Sequence, residues 1–238
     1  MAVHGGATRP FESGVVKDQL LWWIDGHDPV GYPDSGTTMF DLVGSRNMTI
    51  TDATHQTTNS PVPKSFFDFD GGTKELYLAS TDFRFQTSFS CDCWFNIDAF
   101  DQQWFRLVDY WNSTGKSGWM FNRYLTTSKI EWRLEEIDIT GDGTFLTGDL
   151  STGVWYHIAG VYNSDDNNAQ LYLNGSLVDS GNTSGTLNDW SETVLLVGNS
   201  SANEAFNGQV GPVRVYTKAL TASEVLKNYT VERTRFGV

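Results

Sequence analysis

Glu136 and Asp138 stand two residues apart in the segment Glu136-Ile-Asp-Ile-Thr140. On an extended strand alternate side chains share a face. Two carboxylates at this spacing could flank a glycosidic bond, one as nucleophile or stabiliser and the other as proton donor. The next position on that face is Thr140, position 141 is glycine, and Glu135 projects from the opposite face. A leaving oxygen would have no proton donor there, so the residues argue against catalysis.

Oxygen-rich loops are the second chemical lead. Asp138-Ile-Thr-Gly-Asp142-Gly and Asn163-Ser-Asp165-Asp166-Asn-Asn168 carry carboxylates, amides and hydroxyls of the kind that ligate calcium. Calcium is the one cofactor these loops could take, at Asp138 and Asp142 or at Asp165 and Asp166. Neither loop has the glutamate that closes an EF-hand, and Asp and Asn form solvated turns on their own account. His4, His27, His55 and His157 are scattered, with no pair at helical metal-binding spacing. His157 falls within a strand, where a hydrogen-bonded structural role is expected. Cys91 and Cys93 share one face of a strand between Phe89 and Phe95, and read as small buried hydrophobes. No phosphate-binding glycine loop follows a strand.

The aromatics are a third lead. Among nine tryptophans, Trp104, Trp111 and Trp119 surround the turn Asn112-Ser-Thr-Gly-Lys-Ser-Gly118, and Trp94 falls on the polar face of its strand. An exposed indole beside an amide can stack on a sugar's apolar face or anchor a protein interface. Trp94, Trp104, Trp111, Trp119 and Asn112 are therefore the expected ligand-binding residues. The competing reading is that these rings are core.

The elements that would position these groups are mostly strands. Gln19–Ile24 is a compact apolar run that breaks at Asp25-Gly-His-Asp-Pro29. Phe89-Ser-Cys-Asp-Cys-Trp-Phe-Asn-Ile97 alternates apolar and mostly polar positions, the pattern of a half-buried strand. Further strands are expected at 66–69, 76–78, 104–110, 119–124, 130–139, 155–162, 170–173, 194–198 and 211–216. Asn174-Gly175 predicts a type I′ hairpin between Leu173 and Leu177, because both central residues need positive φ. Thr221-Ala-Ser-Glu224 is a capping box that opens one helix over about 221–230, with Val225, Leu226 and Tyr229 as its apolar stripe. Residues 1–18 read as a polar arm and 19–238 as one all-β domain with a terminal helix, a sandwich or jelly roll.

Composition agrees with that class. Of 238 residues 23 are glycine, 14% are aromatic and 19% are charged, with a net charge of −13. A chain of this length can bury roughly 70–75% of its unfolded surface without staples. Its acidity argues against nucleic-acid partners and polybasic membrane binding. Two cysteines exclude a disulfide-dense scaffold. The N-terminal stretch lacks the apolar core of a signal peptide and no 18-residue apolar run exists, so a soluble product made in the cytoplasm is expected, without membrane insertion. The sequons at Asn47, Asn112, Asn174, Asn182, Asn199 and Asn228 are then products of composition.

Several segments together resemble the concanavalin A-like, laminin-G-like jelly-roll family: Phe66-Phe-Asp-Phe-Asp-Gly-Gly72, Ser90-Cys-Asp-Cys-Trp-Phe95, Trp155-Tyr-His-Ile-Ala-Gly-Val-Tyr162, Leu171-Tyr-Leu-Asn-Gly175, Val194-Leu-Leu-Val-Gly-Asn199, Phe206–Tyr216 and Ala219–Val225. Their order covers residues about 20–230. The resemblance implies a sandwich of two antiparallel sheets with a short C-terminal helix. Glycosidases of that family carry Glu-x-Asp-x-Glu or Glu-x-Asp-x-x-Glu, and Thr140 stands where the final glutamate belongs. The ends, Met1–Gly6, Leu21–Thr38 and Glu224–Gly237, resemble the version found in structural proteins of tailed phages. That resemblance implies a non-enzymatic virion protein, a capsid decoration or fibre module on the particle surface, made in the host cytoplasm. Its partners would be other virion proteins, copies of itself and a host-surface glycan. The alternative expectation is a lectin-like receptor-binding module, and a glycosidase is disfavoured by Thr140.

Overall fold

The structure is a computed structural model and describes residues 14–58, 64–112, 117–135, 143–183, 192–200 and 204–238. In chain order its strands are β1 (Leu20–Ile24), β2 (Thr38–Met39), β3 (Met48–Thr51), β4 (Thr54–Thr58), β5 (Lys64–Asp70), β6 (Glu75–Ala79), β7 (Phe89–Ile97) and β8 (Arg106–Asn112). They continue with β9 (Ser117–Arg123), β10 (Ile130–Glu135), β11 (Gly143–Leu146), β12 (Trp155–Asn163), β13 (Asn168–Leu173), β14 (Ser176–Asn182), β15 (Val194–Val197) and β16 (Asn207–Tyr216). One helix, α1 (Ala222–Phe236), closes the chain.

Two antiparallel sheets result. The first runs β14-β13-β12-β7-β16-β5-β4, with β1 also paired to β16, and the second runs β11-β10-β9-β8-β15-β6-β3-β2. Their facing sides enclose a core in which Cys91, Cys93, Phe95 and Ile97 of β7 meet Trp119, Phe121 and Trp132 of the opposite sheet. Burial pushes both thiols well above their ordinary range, as suits inert hydrophobes. Gly160 of β12 makes a close approach possible: a Cβ there would lie 2.3 Å from the Trp132 ring. The predicted hairpin joins β13 to β14, with Asn174 at φ 50° and Gly175 at φ 77°.

The outer side of the first sheet differs from the sequence expectation. The polar positions of β7 were expected to face solvent, yet all nine residues of that strand are buried. Helix α1 covers Asp92 and Trp94. Thr221 caps it as predicted, but it runs six residues beyond 230, to Phe236, and ends at left-handed Gly237. Its inner face carries polar groups that pair with the sheet. Arg214 of β16 donates from Nε to Asp92 at 2.8 Å and from Nη1 and Nη2 to Glu232 at 2.9 and 2.6 Å. Asn228 donates to Asp92 at 2.7 Å and Arg235 forks onto Asp25 at 2.6 and 2.7 Å. These bonds satisfy groups that burial would otherwise penalise.

The boundary of the expected arm also moves. Val15 and Val16 are buried, and the Val16 amide donates to Asn228 at 2.8 Å. Residues 14–18 thus belong to the folded body because their two apolar side chains find cover beside the helix, while residues 1–13 lie outside the described part.

Candidate functional site

Among the described residues, no helix lies on the outer side of the second sheet. Interstrand register aligns one residue from each of six strands across it: Tyr77, Leu196, Asp109, Met120, Arg133 and Thr144. At about 4.8 Å per strand this row spans roughly 24 Å. A second row, Arg106, Asn122, Glu131 and Leu146, runs beside it. The centre is polar but buried, with Arg106, Asp109, Asn122 and Glu131 all within it. Arg106 is held by Glu204, at 2.7 Å from Nε and 2.6 Å from Nη2, and its Nη1 touches the Met120 sulfur. Burial pushes the Asp109 carboxyl up to about 7; Arg106 opposes the shift and Glu204 and Glu192 add to it.

At the rim stands Trp111, half-buried beside half-buried Asn112. The guanidinium carbons of Arg106 and Arg133 lie 5.1 and 5.9 Å from its ring centre, cation–π distances that fix the plane of the indole. Tyr77, two strands away, is 38% exposed. An indole face, a phenol, guanidinium and amide donors on one sheet face are chemically suited to a polyhydroxyl ligand with apolar C–H patches.

The five expected binding residues separate. Trp111 and Asn112 end β8 together, and Trp104 is half-buried in the loop before that strand, not inside it as expected. Trp119 is fully buried in the inter-sheet core, 5.9 Å from both Tyr110 and Trp132, and donates to the Phe83 carbonyl at 3.1 Å. Trp94 is fully buried under α1, stacked 4.3 Å from Phe236 and donating to Glu232 at 2.8 Å. Neither can touch a ligand, and both are corrected to structural roles: the alternation was read rightly, but both faces of these strands are covered. His157 is buried too, in a structural position as expected, with its Nε2 3.9 Å from Asp92 Oδ2.

Glu136, Asp138, Thr140 and Asp142 lie outside the described residues. At the other loop, Asp166 accepts from Asn163 at 2.9 Å and Asn163 accepts from the Asp165 amide at 3.0 Å, a self-contained turn. No cluster of three or more His, Cys, Asp or Glu side chains that could hold a metal exists among the described residues. Sequence reasoning missed Tyr77, Arg106, Asp109, Glu131 and Arg133. The alternation Glu131-Trp-Arg133-Leu-Glu135 was a usable signal for β10. Asp109 was hidden by the register shift between Arg106 and Val108.

Solved structures with this fold include the binding domain of Paraclostridial Mosquitocidal Protein 1, at TM-score 0.67 and 16% identity over 90% of this chain and 52% of that one. The receptor binding domain of botulinum neurotoxin D matches at TM-score 0.64 and 14% identity, over 90% and 52%. The binding domain of botulinum neurotoxin DC, solved in complex with SialylT, matches at 0.65 and 13%, over 90% and 51%. This chain therefore spans about half the length of those it resembles. No curated protein sequence matches it. A family profile, Laminin_G_3, matches residues 70–226, from the end of β5 into α1. That is the greater part of the molecule, and the chain belongs to the concanavalin A-like lectin/glucanases superfamily.

Proposed function

We propose that this chain is a non-enzymatic, lectin-like carbohydrate-binding module, displayed on the surface of a tailed-phage particle as one of its structural proteins. The observation that carries the binding role is Trp111, held at half exposure by Arg106 and Arg133 beside Asn112 on the second sheet. The family and the character of the solved neighbours as binding domains support the same reading. One neighbour is a binding domain in complex with SialylT, and host-surface glycans are the first class to screen. The particle setting rests on the resemblance of the chain ends to phage virion proteins. Assembly as a homo-oligomer with other virion proteins would multiply weak sugar contacts.

A glycan array followed by calorimetry tests the binding role. We expect saturable binding that Trp111→Ala weakens about tenfold or more, by loss of the stacking surface. An array without hits, or a Trp111→Ala protein that binds equally well, overturns it. Mass spectrometry of purified particles tests the setting: stoichiometric presence is expected, and absence removes the virion role without touching the glycan site.

A further inference from the structure

Beyond the end of helix α1, the outer side of the first sheet carries a shelf of hydrogen-bond acceptors. Register places Asp68 of β5, Gln209 of β16 and Asn96 of β7 side by side. Asp70 and Asn207 form the adjacent pair, and Asp98 follows β7. Gln209 donates from Nε2 to Asp68 at 3.0 Å and to Asp98 at 2.6 Å, which engages both hydrogens of that amide. Asn207 donates to Asp101 at 2.7 Å. Both oxygens of Asp70 are taken, by the Gly72 amide and by Lys74, and what the shelf still offers is the second oxygens of Asp68, Asp98 and Asp101 and the carbonyl of Gln209.

An independent observation marks the place as incomplete. Asn96 is 8% exposed and its Oδ1 is buried without a hydrogen-bond partner, in the same row as Gln209. A buried acceptor left unpaired is costly, and Gln209 beside it in the row has both its amide hydrogens committed to Asp68 and Asp98, while Trp155 of β12 stands on its other side. The missing partner must bring donors, and four carboxylates favour one that brings positive charge. The neighbouring cations are already engaged. Lys74 sits 3.4 Å from Asp70 and 3.4 Å from the Thr54 hydroxyl, and Arg123 binds the Phe100 and Gln102 carbonyls at 3.1 and 2.6 Å. A metal ion is disfavoured, since no ligating cluster of three or more exists among the described residues. A guanidinium fits better: it presents a planar fork of donors, matches carboxylate geometry and is weakly hydrated.

We propose that this shelf is a recognition site for a guanidinium group, presented as an arginine side chain by a partner protein. The excess negative charge of the chain would steer such a partner toward it. The site is separate from Trp111, on the opposite sheet, so it stands or falls independently of sugar binding.

The test is a titration of the 15N-labelled full chain with an acetylated Gly-Arg-Gly amide, following the side-chain amide signals of Asn96, Asn207 and Gln209. The same peptide with citrulline keeps the shape and removes the charge. We expect saturable shifts with the arginine peptide and binding about tenfold or more weaker with citrulline. Asp68→Asn with Asp98→Asn should abolish the shifts, Asn96→Leu should weaken them, and Trp111→Ala should leave them intact. Thermal melts establish that each variant is folded, and if the double variant is not, Asn96→Leu decides alone. Equal binding of citrulline, shifts that do not saturate, or shifts that survive in the folded variants overturn the proposal. Free arginine amide binding more tightly than the peptide would assign the shelf to a small guanidinium compound and overturn the protein partner.

Discussion

Replacing Arg214 with leucine is expected to remove about 3–5 kcal/mol of folding stability, the usual cost of leaving a buried charge without its partner. Arg214 lies wholly inside the protein between β7 and α1, with Asp92 on one side and Glu232 on the other. Leucine would leave two carboxylates in an apolar enclosure, and Trp94 and Asn228, which share those carboxylates, would lose their setting. For a chain of this size the loss corresponds to roughly 10 °C or more in Tm. Urea unfolding and thermal melts measure it. A loss below about 1 kcal/mol would mean that apolar contacts alone hold the helix.

The same network makes stability acid-sensitive with a definite sign. Burial by itself would raise the Asp92 carboxyl, but Arg214 and His157 outweigh it and hold the group down to about 2, below its ordinary 3.8. A carboxyl depressed in the folded state stabilises fully above its unfolded value and loses that contribution as pH falls through the folded one. Asp25 is lowered likewise, with burial opposing and Arg235 prevailing. Stability should therefore decline between about pH 4 and pH 2. In Arg214→Leu the depression of Asp92 disappears, so its share of the acid loss goes with it and the decline over this range should become shallower.

Gly160→Ala is expected to destabilise by about 3 kcal/mol, at the upper end of what one added methyl costs in a packed core. The new Cβ would sit 2.3 Å from Trp132 Cδ2. The indole cannot retreat, because Phe89, Phe121 and Trp119 surround it at ring distances of 5.7, 4.8 and 5.9 Å. Trp132→Leu also destabilises alone, by leaving a cavity. In the double variant the two defects fit one another, so its cost should fall below the sum of the single costs. Strict additivity in a four-protein set of melts would show that the clash is relieved elsewhere.

Features set by neighbouring residues were legible in the sequence. The alternation of Phe89–Ile97, the Asn174-Gly175 hairpin and the Thr221–Glu224 capping box depend on contacts a few positions apart, and all three are present. The sequence by itself therefore determined the strand-rich class and the start of the helix. Trp111 and Asn112 were singled out in the sequence by their place beside the Gly- and Ser-rich stretch 112–118. Only the tertiary structure decided which polar positions meet water. Asp92, Trp94, Arg214 and Glu232 look like solvent-facing residues one strand or one helix at a time, yet they lie more than a hundred residues apart in part and pair in the interior. The alternation of a strand distinguishes its two sides, but it cannot say what the rest of the chain lays over either of them.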